Sequence, residues 1–349
     1  MSAMHVLAGA ANDVDSWVAD HWGRWFRGGQ TRFAYRCILK GARQGRITAF
    51  YFTETSRAPV LVVKIAGNVG DRVPARNEFD ALRRVRSSLP PRAVDLAPEA
   101  LGLLHEGGSY AAVAMKAVAG KRMTLPVLAR RSPSIFERRA TLAYLKTAAE
   151  VSRQLETLVS GVPQPRSLGA LSDQLAAFRS LGSVSRAAQE GLSELERHLA
   201  ASTSRYTPSW QHGDVAPGNL LLGPSGAHLV DWEAARPDHA PWFDVTYSWL
   251  TLARLTQRQG GDWSAGRALA HLYSENGWLG ERLAQQTQQA WPHELPRRWA
   301  ATLVAVDLAM TYGEAGVAVW SPYIEALLTD DTVREHCHWM VPSRLDLSP

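Results

Sequence analysis

Apolar positions recur at helical spacing over residues 12–26, where Val14, Trp17, Val18, Trp22 and Trp25 share a face. Asn12 or Asp13 is available as N-cap, and Gly28–Gly29 can end the helix. The period then shortens to that of strands over Phe33–Leu39, Ile47–Thr53 and Val60–Ile65, each bounded by Gly, Pro or charged residues. A helix is predicted from Pro74, suited to a first helical position, to about Val85. Strand-like sequence returns near Leu101–Leu104 and Tyr110–Met115. After Gly120 helical spacing dominates over 134–160, 170–200 and 243–328, interrupted by a hairpin pattern at Leu220–Val230. An amphipathic helix (1–30), a small sheet-bearing lobe (31–117) and a larger helical lobe (118–349) are expected, an α+β arrangement.

Composition narrows the class. At roughly 150 residues per domain, 349 residues suit about two units. An apolar share of 46% supplies ordinary core material and excludes a disordered tail or a disulfide-stapled miniprotein. Cys37 and Cys337 stand far apart, so no disulfide framework is read and a reducing, cytoplasmic setting is expected. The start, MSAMHVLAGAANDVDSW, lacks a basic n-region, so no signal peptide is expected. No run of about 18 apolar residues predicts a membrane span.

The net charge of +5 is unevenly placed: residues 1–235 carry 29 Lys+Arg against 20 Asp+Glu, and residues 236–349 carry 9 against 13. The first part suits an anion and the second a cation or polyol. No basic run interleaved with aromatics points to nucleic acid. Only five lysines occur, so Lys64, at the end of the apolar run Val60-Leu61-Val62-Val63, stands out. Glu78 comes fourteen residues later, sharing its helix face with Leu82 and Val85. An inward Glu opposite a strand Lys calls for pairing, because an unpaired buried charge is costly. A solvated Lys and an exposed Glu on an Arg-rich helix are the alternative.

The densest chemistry lies in WQHGDVAPGNLLLGPSGAHLVDWEA, residues 210–234. Gly223-Pro224-Ser225-Gly226 is a strong turn signal between two short apolar runs. Folding that hairpin brings Asn219 and Asp231 to one end, beside Asp214. Two converging oxygen ligands suit Mg²⁺, which takes few protein ligands and completes its shell with water and phosphate. Asp214 is then placed to face an attacking hydroxyl. A metallohydrolase set of His212, Asp214, His228 and Asp231 is an alternative, although strand alternation turns only one face of the second run toward an ion.

The segment resembles the catalytic core of the aminoglycoside phosphotransferase and choline-kinase-like family, within the bilobed protein-kinase-like fold. The match spans roughly residues 31–330, with specific motifs over 64–78 and 210–244. The resemblance implies Asp214 as catalytic base, Asn219 and Asp231 as Mg²⁺ ligands, His212 as a loop brace and Asp244 as a support for that loop. It implies Lys64 and Glu78 as the phosphate-side ion pair, and Met115 and Ala117 as the hinge whose backbone meets adenine. Gly41 and Gly45 stand where a phosphate loop belongs, but Gly41-Ala42-Arg43-Gln44-Gly45-Arg46 is not a full G-x-G-x-x-G; Arg43 or Arg46 would add charge there. ATP and Mg²⁺ are the implied cofactors and a small-molecule hydroxyl the implied acceptor.

Acceptor residues are sought in 236–349. Trp299, Leu303, Val306 and Met310 form a stripe, with Asp307 beside it and Glu314 two turns on, acidic groups suited to a cationic acceptor. A catalytically silent nucleotide-binding scaffold, or a kinase of protein hydroxyls, are the competing readings. The Trp17/Trp22/Trp25 stripe also fits an interfacial membrane helix, and His336-Cys337-His338 a metal cluster, though adjacent residues diverge.

Overall fold

The computed structural model describes residues 3–26, 33–40, 46–67, 69–89, 95–106, 110–125, 134–158, 164–274, 279, 295 and 297–336. The chain divides into two units, Met1–Met123 with His212–Arg236, and Thr124–Gln211 with Pro237–Pro349. This differs from a division made along the chain at 117 and 118. The hairpin strand Leu220–Gly223 pairs with Lys121–Arg122, and Met123 N–H donates to the Leu220 carbonyl, so the motif segment is tied to the sheet-bearing unit.

In the first unit, β1 (Tyr35–Lys40), β2 (Arg46–Phe52), β3 (Leu61–Ala66), β4 (Ala100–Glu106) and β5 (Tyr110–Lys116) form an antiparallel sheet in the order β1-β2-β3-β5-β4. Alternation sorts β2 and β3 into two faces. Ile47, Ala49, Tyr51, Leu61, Val63 and Ile65 are buried, whereas Arg46, Thr48, Phe50, Val62 and Lys64 keep some exposure.

Helix α1 (Ala3–Trp25) covers the first face with Val14, Val18, Trp22 and Trp25. It starts well before the expected N-cap at Asn12 or Asp13. The alanine-rich residues ahead favour helix strongly, and Ala10 and Ala11 are buried against the sheet. Asp15 ties the helix down, accepting from Tyr51 Oη at 2.8 Å and pairing with Arg36. Gly102 makes room for the tryptophans: a Cβ there would lie 2.8 Å from the Trp17 ring. The stripe therefore serves the core of this unit rather than a lipid surface, and no described helix is long and apolar enough to cross a membrane.

On the other side of the sheet, α2 (Val69–Ser88) turns Glu78, Leu82 and Val85 inward. It begins five residues before Pro74, which sits in the second turn and withholds one hydrogen bond there.

The second unit is mainly helical. Helix α3 (Ile135–Glu156) opens with a capping box in which Glu137 N–H donates to Ser134 Oγ and Ser134 N–H to the Glu137 carboxylate. Helices α4 (Ser172–Ser180) and α5 (Arg186–Ala201) come next, separated by a break containing Gly182 at positive φ. Helix α6 (Phe243–Gln259) is buried on nearly every side through its first eleven residues, and α7 (Ala265–Tyr273) and the helices Arg297–Thr311, Gly313–Thr329 and Asp331–His336 follow. Of the stripe read near the C-terminus, Trp299, Leu303 and Val306 are buried and Met310 is exposed.

Replacing Trp22 by Ala is expected to destabilise the protein by about 3–5 kcal/mol in urea unfolding. A membrane-binding role would instead leave stability unchanged and lower affinity for lipid vesicles.

Candidate active site

The site in the first unit is built on one charge. Lys64 extends from the less covered face of β3 and its Nζ donates to Glu78 Oε1 and to Asp231 Oδ1, each at 2.6 Å. Glu78 is 2% exposed, Lys64 27% and Asp231 37%, so the ammonium bridges from the interior to the surface. Burial works against the Lys64 charge, but the two carboxylates outweigh it and raise its pKa. Burial likewise pushes Asp231 up, yet Lys64 prevails and holds it below the usual carboxylate range. For Glu78 burial wins and raises the pKa, with Lys64 pulling against it.

The hairpin positions the partners. Leu220 to Gly223 pair with Leu229 to Gly226, and Val230 N–H donates to the Asn219 carbonyl at 2.9 Å, so the two sides of the motif meet at the open end. There Asp231 adopts φ 72° and ψ 62°, the one positive φ outside glycine among the described residues. That left-handed turn costs an L-residue about 1–2 kcal/mol. Three contacts hold it in place: Asp231 meets Lys64, Trp232 N–H donates to the same Glu78 oxygen at 3.1 Å, and Glu233 pairs with Arg46 of β2. The Trp232 ring is fully buried, its Nε1–H on the Leu229 carbonyl.

The loop before the hairpin is equally constrained. His212 is buried; its Nδ1 accepts from Asp214 N–H at 3.2 Å, so Nε2–H faces the Val230 carbonyl at 3.1 Å. Burial lowers its pKa to about 4, consistent with a neutral ring that must accept at Nδ1. Gly213 has φ +80°, and a Cβ there would lie 2.5 Å from the Ala234 carbonyl oxygen. Asn219 Nδ2 donates to both the Asp214 carbonyl (3.0 Å) and Asp214 Oδ2 (2.9 Å).

With its amide hydrogens turned to Asp214, Asn219 directs its side-chain carbonyl oxygen the other way, the orientation a hard cation requires. Asp231 follows Val230, whose N–H meets the Asn219 carbonyl, and Lys64 favours its ionised form. This donor set fits Mg²⁺ shared with phosphate oxygens, which needs few protein ligands. Among the described residues no group of three or more His, Cys, Asp or Glu side chains is gathered to hold a metal. The metallohydrolase alternative fails at His212, both of whose ring nitrogens are engaged by backbone groups.

The remaining expected residues are spread over both units. Met115 lies buried at the end of β5. Ala117 N–H is engaged within the first unit, donating to the Val60 carbonyl at 3.0 Å, so it is not offered to a base. Gly41, Gly45, Cys337 and His338 lie outside the described residues. In the second unit Asp244 is fully buried, its backbone N–H on the side chain of Gln211, the residue preceding His212. Nearby Glu156 is pushed up to about 7, by burial first and then by the Asp244 charge. Asp307 is 9% exposed and accepts from Gln174 Nε2 at 2.7 Å, while Glu314 is exposed. Two contacts escape the sequence pattern: the Trp232 amide on Glu78, a backbone group with no residue signature, and the Glu233–Arg46 pair, whose only signal is an acid two places after Asp231.

Comparison with known proteins bears on this arrangement. A family model described as the phosphotransferase enzyme family (APH) matches residues 38–284. None of the curated proteins compared matches the chain. Among solved structures, the crystal structure of aminoglycoside phosphotransferase APH(4)-Ia is 13% identical, covers 91% of this chain and 98% of its own, and superposes with a TM-score of 0.58. A thermostable mutant of that protein in ternary complex with ADP and hygromycin B is 12% identical, with coverage of 90% and 97% and a TM-score of 0.57. Another such mutant, with AMP-PNP and hygromycin B, gives 13%, the same coverage and 0.55. At these identities the likeness is one of fold.

His212 generates a pH prediction. Its folded pKa of about 4 lies below the ordinary value of 6.5, so as pH falls from about 6.5 to about 4 the unfolded chain takes up a proton that the folded one refuses. Stability should fall over that window, and His212→Gln should flatten this part of the slope in urea titrations at stepped pH.

Proposed function

The chain belongs to the phosphotransferase enzyme family, which makes it a small-molecule kinase, and on that premise we propose that it transfers the γ-phosphoryl group of ATP to a small-molecule hydroxyl. The observation that carries this reading is the ammonium of Lys64 held at 2.6 Å from both Glu78 and Asp231, at the end of the hairpin where Val230 N–H meets the carbonyl of Asn219, itself bonded to Asp214. Three chain segments converge there, and their groups are those in-line phosphoryl transfer calls for: a cation for phosphate oxygens, two oxygen ligands for Mg²⁺, and a carboxylate for the acceptor.

In this reading Asp214 orients the acceptor hydroxyl and takes its proton as the oxygen bonds to the γ-phosphorus and the bridging bond to ADP breaks. The hydrogen bond from Asn219 Nδ2 fixes the Asp214 carboxylate for that task. Asn219 Oδ1 and Asp231 hold Mg²⁺, which supplies charge neutralisation on the phosphates. Lys64 exchanges Asp231 for phosphate oxygens while keeping Glu78, whose burial anchors it. His212 holds the loop by donating to the Val230 carbonyl and accepting from Asp214 N–H, and Asp244, at the start of α6, is the proposed support for that loop. Positioning and electrostatics dominate such chemistry, so rigid placement of these groups matters more than their intrinsic reactivity.

Residues 115–120 are the proposed adenine-binding stretch, through groups other than the Ala117 N–H. Asp307 and Glu314 are the proposed anchors for a cationic acceptor, and the likeness to an enzyme crystallised with ADP and hygromycin B supports an aminoglycoside or related hydroxyl compound. A sugar or amino alcohol is the neighbouring choice.

Asp214→Asn is expected to lower kcat by about 10²–10⁴ while leaving nucleotide binding intact. ADP release is measured over aminoglycosides, choline-like amines, sugars and nucleosides. Near wild-type turnover would remove Asp214 from the mechanism, and a wild-type protein that binds nucleotide but turns over no acceptor would favour the scaffold.

A further inference from the structure

Arg46 opens β2 directly after the glycine-bearing segment 41–45. Thr48 lies opposite Lys64 in the β2–β3 register and Arg46 opposite Ala66, so Arg46 and Lys64 share the sheet face that bears the site. Its guanidinium pairs with Glu233; the two side chains are 20% and 18% exposed. Its field also reaches Asp231, where it adds to the attraction that keeps that carboxylate ionised.

The Asp231-Trp232-Glu233 turn thus supplies two carboxylates to two cations of one sheet face, Asp231 to Lys64 and Glu233 to Arg46. Resting on the kinase reading, we propose that Arg46 is a second cation for the nucleotide polyphosphate and that Glu233 is its resident counter-ion, displaced when a nucleoside triphosphate binds. Arginine suits this exchange. Its planar fork accommodates phosphate and carboxylate oxygens in the same two-point geometry. The pair is partly exposed, so it is open to exchange with a ligand of higher charge. Two cations on one face would repel in the unliganded protein, and two acids from one turn neutralise them until the polyanion arrives.

Calorimetric titration of the full chain with Mg-ATP and with adenosine tests the proposal, using wild type, Arg46→Gln, Arg46→Lys and Glu233→Gln. Arg46→Gln should weaken Mg-ATP at least about tenfold with adenosine affinity unchanged, which also reports that the variant is folded. Arg46→Lys should recover part of the loss. Glu233→Gln, which removes the competing carboxylate, should tighten Mg-ATP. Arg46→Gln binding Mg-ATP as wild type does, losing ATP and adenosine equally, or being matched by an equal loss in Glu233→Gln, would overturn the proposal and reduce the pair to a brace for the turn. A wild-type protein that binds neither ligand would overturn the kinase reading itself.

Discussion

One ammonium group organises this protein. Lys64 links a strand, a helix and a turn that are far apart in the chain, and it does so with charges that none of them tolerates alone. Glu78 is almost wholly buried, so its carboxylate depends on Lys64 and on the Trp232 amide. Removing one member of such a buried set leaves an uncompensated charge, commonly at a cost of about 3–5 kcal/mol. The constraint explains why α2 turns an acidic residue inward, and why Asp231 accepts a left-handed backbone.

The sheet makes this arrangement possible by giving its two faces different work. One face is closed by α1 with aliphatic and tryptophan side chains, and its polar tie is Asp15 on the Tyr51 hydroxyl. The other carries Arg46, Thr48 and Lys64 at alternating positions, so two cations stand on one surface without entering the α1 core. The Asp231-Trp232-Glu233 turn answers that surface in order: a carboxylate for Lys64, a backbone amide for Glu78, a carboxylate for Arg46. Consecutive residues reach three targets because the left-handed turn at Asp231 reverses the chain's direction of approach.

Much of this is legible in the order of residues. Alternation over 47–65 and the apolar run ending on Lys64 define the sheet, and Gly223-Pro224-Ser225-Gly226 defines the hairpin that unites Asn219 with Asp231. The limits of α1 and α2 are less legible. Asn12, Asp13 and Pro74 are good end signals, yet burial of Ala10 and Ala11 extends α1 through the first two, and α2 absorbs Pro74 in its second turn. Local preferences of this kind are worth about 1 kcal/mol, less than the packing that overrides them.

Residue order and type by themselves determined which side chains carry charge, where the backbone must reverse, and that an H-G-D-x-x-P-x-N run continued by a hairpin and D-W-E gathers oxygen ligands suited to a hard cation, a pattern that resembles the catalytic core of a small-molecule kinase family. Apart from the Lys64–Glu78 pair, tertiary structure alone decided what those charges touch. The grouping of His212–Arg236 with the sheet, the sharing of one Glu78 oxygen by Lys64 and the Trp232 amide, and the pairing of Glu233 with Arg46 join positions up to 187 residues apart. Periodicity reports the face on which a side chain lies; its partner is set only when separate segments pack and each buried charge must find the nearest group able to neutralise it.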